Sequence, residues 1–197
     1  MTKGNDTRSA ILKNALDVAG ENGLELLTIG KLADALEMSK SGLFAHFKSK
    51  ENLQLDVLDY AAEIFTQKVL VPAVKKPRGI TRIRAIVNNW LEWTNSGLPG
   101  GCFFISTSIE YDDRHGKIRD HLLGMQKKWI NALAFAAKLA VEEGQFKKKA
   151  DCGQFAYELF SIMAGYHHFK RMLGDAKAEQ RVKKAFEGLI SRYKSGK

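Results

Sequence analysis

Apolar residues recur at three- and four-residue spacing along most of the chain, the repeat of helices with one buried face. Strand-like alternation stands out nowhere. Ile11, Leu12, Ala15, Leu16 and Ala19 predict a first helix, capped by Asp6 or Thr7 and running to about Glu21. Gly23 closes it where a left-handed residue is wanted. Leu24, Leu26 and Leu27 are expected to cover the bottom of a small three-helix core. Thr28 is an N-cap candidate for a second helix with Ile29, Leu32, Ala33 and Leu36 on one face. Glu37-Met38 breaks the run, with Met38 as an apolar plug under the turn. Ser39 or Lys40 then opens a third helix whose buried side is Leu43 and Phe47. From Lys50 a fourth helix is predicted through Leu53, Val57, Leu58, Ala61, Ile64, Phe65 and Leu70 to about Val71, ended by Pro72 and the KKPRG segment at 75–79.

Farther on, Ile83, Ile86, Val87, Trp90, Leu91 and Thr94 mark the inner face of a helix from about Ile80 to Ser96, followed by a loop at 96–101. Residues 102–109 are apolar nearly all round, so that helix is expected to be enclosed, and Ser106, Thr107 and Ser108 to need internal partners or a ligand. A long helix from about Lys117 to Glu143 follows, with Ile118, Leu122, Met125, Trp129, Leu133, Ala136 and Ala140 inside. Two more, about Asp151–Leu173 and Lys177–Tyr193, form an antiparallel pair around Gly174-Asp175. The first carries Phe155, Leu159, Phe160, Ile162, Met163, Tyr166 and Phe169, and the second Val182, Ala185, Phe186, Leu189 and Ile190. The fold class is all-α.

The outward side of the third helix changes the picture. Ser39, Lys40, Ser41, Phe44 and His46 are short, polar or basic for the most part, the set a helix needs to enter a major groove. Lys48, Ser49 and Lys50 follow at the start of the next helix, where free N–H groups and positive charge together suit a DNA phosphate. The net charge of +9 adds little to this, because residues 1–50 carry only +1, residues 51–71 carry −3 and the remainder carries +11. The placing of Lys31, Lys40, Lys48 and Lys50 marks the DNA-binding end, while the later excess is a solvated surface or a preference for an anionic ligand. Arg8 has two readings, a contact to a flanking phosphate or a solvated arginine.

The run SKSGLFAHFKSKENL, with ILKNALDVAGENG before it, resembles the recognition helix and flanking segments of the TetR/AcrR family of transcriptional regulators. The likeness covers Ala10 to about Leu58. GGCFFISTSIEYDDRHGKIRDHL (100–122) is similar to a segment in a branch of that family. Two positions depart from the pattern: Glu37 stands where the family usually has Gly, implying a strained turn, and Phe44 where it usually has Tyr, removing a hydroxyl.

The resemblance implies an N-terminal three-helix helix-turn-helix DNA-binding domain, residues 1–50, and a larger C-terminal helical domain for ligand binding and dimerisation, residues 51–197. It implies a regulator, commonly a repressor, that binds a palindromic double-stranded operator as a homodimer and is released by a small-molecule effector. In that reading Ser39, Lys40 and Ser41 face bases or nearby phosphates, and Thr28, His46 and Lys48 hold the backbone. Lys31 and Phe44 complete the interface. The effector, largely apolar, would be lined by candidates Trp90, Trp93, Thr94, Phe103, Phe104, Thr107, Tyr111, Trp129, Met163 and Tyr166. The last two helices would pair with those of a second copy in a four-helix bundle, although the sequence alone fits an intramolecular core equally well.

Other chemistry finds little footing. Glu110, Asp112, Asp113 and His115 cluster at a helix end, as caps and a solvated turn would. His167 and His168 are adjacent and diverge on a helix, so no metal site is expected. No phosphate loop, nucleophile elbow or dinucleotide glycine pattern occurs, and no cofactor or enzymatic activity is expected. Cys102 and Cys152 read as reduced thiols, Cys102 packing inside. With no apolar run of membrane length and no signal-peptide core, the expected location is the cytoplasm. The competing reading is a helical ligand-binding protein or enzyme on the same fold that no longer reads DNA, favoured only by Glu37 and Phe44.

Overall fold

The computed structural model describes residues 3–196. Its elements are α1 (Lys3–Asn22), α2 (Ile29–Leu36), α3 (Lys40–Phe47), α4 (Lys50–Phe65), a π-helical stretch (Thr66–Leu70), α5 (Val71–Val74), α6 (Ile80–Asn95), α7 (Phe103–Glu110), α8 (Lys117–Glu142), α9 (Cys152–Arg171) and α10 (Ala178–Tyr193). No strand occurs among the described residues; a lone backbone bridge joins Phe146 to Lys194. No helix among them is long and apolar enough to cross a membrane. The chain divides into two compact units. One runs to Phe65 and includes Ser96–Gly124, and the other comprises Thr66–Asn95 and the chain from Met125 onward.

In the first unit, Ile11, Leu12, Ala15, Leu16 and Ala19 of α1 are buried as their spacing predicts, with Leu32, Ala33, Leu43, Phe47, Leu53, Val57, Leu58 and Ala61 of the next three helices. Leu24 and Leu27 are fully buried between α1 and α2, but Leu26 is 53% exposed, so only two of that trio close the core. α1 begins at Lys3, before the expected cap. Thr7 therefore lies inside the helix, and the side chain of Asp6 lies outside the described residues. Gly23 ends α1 at φ 90° as expected. Gly20, one turn earlier, has a different role: a Cβ there would collide with the carbonyl of Pro99, so the 96–101 loop lies against the α1 backbone. α7 buries Phe103, Ile105 and Thr107, and the ring of Phe104 meets Phe65 edge-on at 5.6 Å. The expectation that α7 is enclosed on all sides fails at Ile109, which is 65% exposed.

The fourth helix does not run on to Val71 to be broken by Pro72. It widens into the π stretch at Thr66, and Pro72 sits in the first turn of α5, where its missing N–H has no helical partner to lose. Within the second unit the side-chain amide of Asn89 donates to the Val69 carbonyl of that stretch (2.9 Å), and the Arg82 guanidinium donates to the carbonyls of Val74 and Lys76. These bonds satisfy carbonyls that irregular helix ends leave open. The α6 start is held by Gln145, whose Oε1 accepts the Ile80 N–H at 2.7 Å. α9 and α10 pack antiparallel: Tyr193 at the end of α10 stands against Phe155 near the start of α9, at 5.1 Å, and Phe146 joins both rings. Phe146 was not readable as core, since it lies alone between Gly144 and a lysine run. Ala185, expected inside, is exposed. Tyr157, Phe169, Met172 and Leu173, on and just after α9, are exposed to between 41% and 76%.

Candidate nucleic-acid interface

Three hydroxyls cap the starts of α2, α3 and α4. Thr28 Oγ1 accepts the Lys31 N–H (3.1 Å) at the start of α2, Ser39 Oγ accepts the Gly42 N–H (3.1 Å) at the start of α3, and Ser49 Oγ accepts the Asn52 N–H (3.1 Å) at the start of α4. Each satisfies one of the amides a helix start leaves open. Between the first two helices Glu37 takes the left-handed conformation (φ 53°, ψ 34°), so the turn closes at a non-glycine residue as its sequence implies. Lys48, at the end of α3, also has positive φ (64°), and its N–H donates to the Phe44 carbonyl at 2.8 Å. Two strained residues therefore bracket α3, a helix of eight residues.

Over this frame Lys31, Lys40, Ser41, Phe44, His46 and Lys48 are exposed, while Leu43 and Phe47 anchor α3 from below. Thr28 is half-buried, and Ser39, though exposed, has its hydroxyl committed to the cap and to Ser41, whose Oγ donates to it at 3.3 Å. The ammonium of Lys40 reaches the first turn of α2, where a Cβ added to Gly30 would lie 3.9 Å from it. The starts of α2 and α3 thus share one positive surface.

Two basic residues are held in ion pairs instead. Lys50 does not extend the surface of Lys48; its Nζ pairs with Glu25 at 2.6 Å. Arg8, with 41% of its side chain exposed, is also held by an ion pair. It pairs with Asp56 at 2.6 Å, and its guanidinium lies over the Phe47 ring, 5.5 Å from the centroid. That stacking fixes α1 to the underside of α3.

The 24–25 turn between α1 and α2 meets the end of α7 in a polar joint that sequence reasoning missed. Glu110, the last residue of α7, accepts the backbone N–H groups of Leu24 (2.9 Å) and Glu25 (2.8 Å). The Tyr111 hydroxyl donates to Glu25 (2.9 Å), Arg114 approaches Glu25 at 3.5 Å, and its guanidinium stacks on the Tyr111 ring. Gln54, 3% exposed, donates to the Leu24 carbonyl at 2.7 Å. The hydrogen bond from Lys50 holds the Glu25 carboxyl below the usual carboxylate range against the opposite push of burial, with Tyr111 and Arg114 adding to it. Burial first, and then the bond to Glu25, push the Tyr111 phenol far up. A signal existed for Gln54 alone: it occupies a place on the apolar stripe of α4 with Val57, Leu58 and Ala61.

The candidate effector residues fall in both units. In the second, Trp90 is buried edge-on against Tyr166 (5.6 Å), whose hydroxyl donates to Asn95. Trp93 and Met163 are buried, Thr94 and Trp129 half-buried, and the Thr94 hydroxyl donates to the Leu91 carbonyl. In the first, Phe103 and Phe104 meet edge-on, and Thr107 and Tyr111 are buried. Thr107 bonds the Phe103 carbonyl (2.7 Å), Ser108 that of Ile105 and Ser106 that of Gly100, so the hydroxyls of α7 find partners within their own segment. Phe103 and Thr107 also line a cavity of about 340 Å³ in the first unit, with Gly20, Gly100, Ser106 and Glu110. Both cysteines are free thiols, Cys102 buried at the start of α7. Among the described residues no group of three or more His, Cys, Asp or Glu converges to hold a metal ion.

Residues 11–57 match the sequence profile of bacterial regulatory proteins of the tetR family, and residues 79–186 match a tetracyclin repressor-like C-terminal domain. No curated protein sequence matches the chain. Among solved structures, the fold is similar to that of a TetR transcriptional regulator from Chloroflexus aurantiacus J-10-FL, with 23% identity, all of both chains covered and a TM-score of 0.86. It is also similar to AibR in complex with isovaleryl coenzyme A and operator DNA, at 22% identity over 93% of this chain and 96% of that one, with a TM-score of 0.72. A putative transcriptional regulator from Saccharomonospora viridis in complex with choline shares 17% identity over 98% and 100% of the two chains, with a TM-score of 0.83.

Proposed function

The chain belongs to the TetR family of bacterial regulatory proteins, and from that membership we propose a repressor that binds a palindromic operator as a dimer and leaves it when a small molecule binds. The observation that carries the DNA-binding part is the exposed set Lys31, Lys40, Ser41, His46 and Lys48, held over a fully buried Leu43–Phe47 anchor by the Thr28 and Ser39 caps. Residues 28–50 do the reading within a domain of residues 1–50. Ser41 and Lys40 approach bases or nearby phosphates, and Lys31, His46 and Lys48 hold the backbone. Thr28 and Ser39 act chiefly through the helix starts they cap.

Residues 51–197 hold the effector and dimer functions. The buried aromatics Trp90, Trp93 and Tyr166, with Trp129, Met163 and Thr94, favour a largely apolar effector, as AibR and the choline-bound regulator each hold a small molecule of their own. Effector binding shifts the population away from the DNA-competent form by its differential affinity for the two. The exposed Tyr157, Phe169, Met172 and Leu173 support pairing through α9 and α10 with a second copy. The protein works in the cytoplasm and is not an enzyme.

The test is fluorescence anisotropy with labelled duplex from upstream of the protein's own gene, in excess competitor and at two salt concentrations. Saturable binding that survives competitor is expected, weakening with salt as phosphate contacts are screened. If that duplex fails, selection from random duplexes follows. Recovery of none would overturn the DNA-binding reading and leave a ligand-binding protein on the same fold.

A further inference from the structure

We propose that Phe44 reads sequence, and that the group it recognises is the C5-methyl of a thymine in each operator half-site. The inference rests on residues 28–50 being the DNA-reading segment. Phe44 is 55% exposed on α3, although α3 already buries Leu43 and Phe47 and gains no core from a third large apolar group. It lies between Lys40 and Lys48 at four-residue spacing, with exposed Ser41, Ala45 and His46 around it. A phenyl ring set between exposed lysines in the chain is a poor place for a second copy, which would bring lysines against lysines. It is a good place for a polyanion.

The ring has no donor and no acceptor, so it can bond neither a phosphate oxygen nor the polar edge of a base. The apolar group presented in the major groove is the thymine methyl, and apolar side chains are its readers. Lys40, one turn earlier on α3, and Lys48, at its C-cap, would hold the backbone while the ring lies on the methyl.

The experiment uses the full-length protein and the duplex it recovers by selection from random sequences. Deoxyuridine, which lacks the methyl, replaces thymidine one position at a time. At one position in each half-site the affinity is expected to fall about fourfold, the worth of one buried methyl group, and about 15-fold with both replaced. Phe44→Ala is expected to bind the thymidine and deoxyuridine duplexes alike, whereas Lys48→Ala weakens both and keeps the difference. A wild-type protein indifferent to every replacement would overturn the proposal, as would a Phe44→Ala protein that still discriminates. Those outcomes leave DNA binding intact. Failure to recover any duplex is a separate result that removes the reading beneath it.

Discussion

Glu37 holds the turn between α2 and α3 in a conformation that costs an L-residue with a Cβ about 1 kcal/mol or more. Glu37→Gly is therefore expected to raise stability by about 0.5–1 kcal/mol, after the extra freedom glycine brings to the unfolded chain, as read by urea unfolding. Lys48→Ala is expected to weaken binding to all duplexes alike and to flatten the salt slope by about one unit, since it removes one phosphate contact. An unchanged slope would count against that role. Glu25 makes a different kind of prediction. Its folded carboxyl titrates below the ordinary 4.5, so the stabilisation it brings is present above that pH and is lost as pH falls through the lowered value. The stability difference between wild type and Glu25→Gln, followed by thermal melting, should shrink on acidification below pH 4.5. The anchors Leu43 and Phe47 were legible in sequence because burial follows the helical period. Glu25 and Glu110 were not, because Glu110 meets main-chain amides 85 and 86 residues away and no local pattern records such a pairing.

At the scale of elements, helix number and order follow from the apolar period, and the deviations have physical causes. The π stretch at Thr66–Leu70 was invisible because apolar residues continue through it, and hydrogen bonds that span one residue more leave no compositional mark. The short polar run 110–116 looked like a solvated turn because its residues are charged. In the fold Glu110 and Tyr111 face inward and only the rest is solvated. The joint between α1 and the 96–110 segment rests on backbone contact as well as on these bonds. Gly20→Ala must push Pro99 away and is expected to cost about 1–3 kcal/mol in chemical unfolding, whereas alanine at the helical Gly124, which has open space around it, should cost nothing comparable. Equal effects at the two positions would mean the close approach does not matter.

For the molecule as a whole, the exposed apolar residues on and beyond α9 predict association. Sedimentation at micromolar concentration is expected to give a dimer, and Met172→Glu with Leu173→Glu to give a folded monomer with weakened operator binding. The sequence could place these residues on a helix but could not tell a buried face from an exposed apolar one, since both carry the same side chains. The division of the chain was illegible for another reason: the unit that contains α1 to α4 is completed by residues 96–124, far along the sequence. That arrangement bears on engineering. The helix-turn-helix is not a detachable cassette, because Glu110 and Tyr111 lie outside the segment that carries the candidate DNA-binding side chains. A chimera that grafts residues 1–65 alone onto another regulator leaves the amides of Leu24 and Glu25 to whatever the host supplies, and it should melt below one that carries 96–124 as well. On the proposed reading of residues 28–50, operator preference is transplanted intact only as two separate stretches of gene.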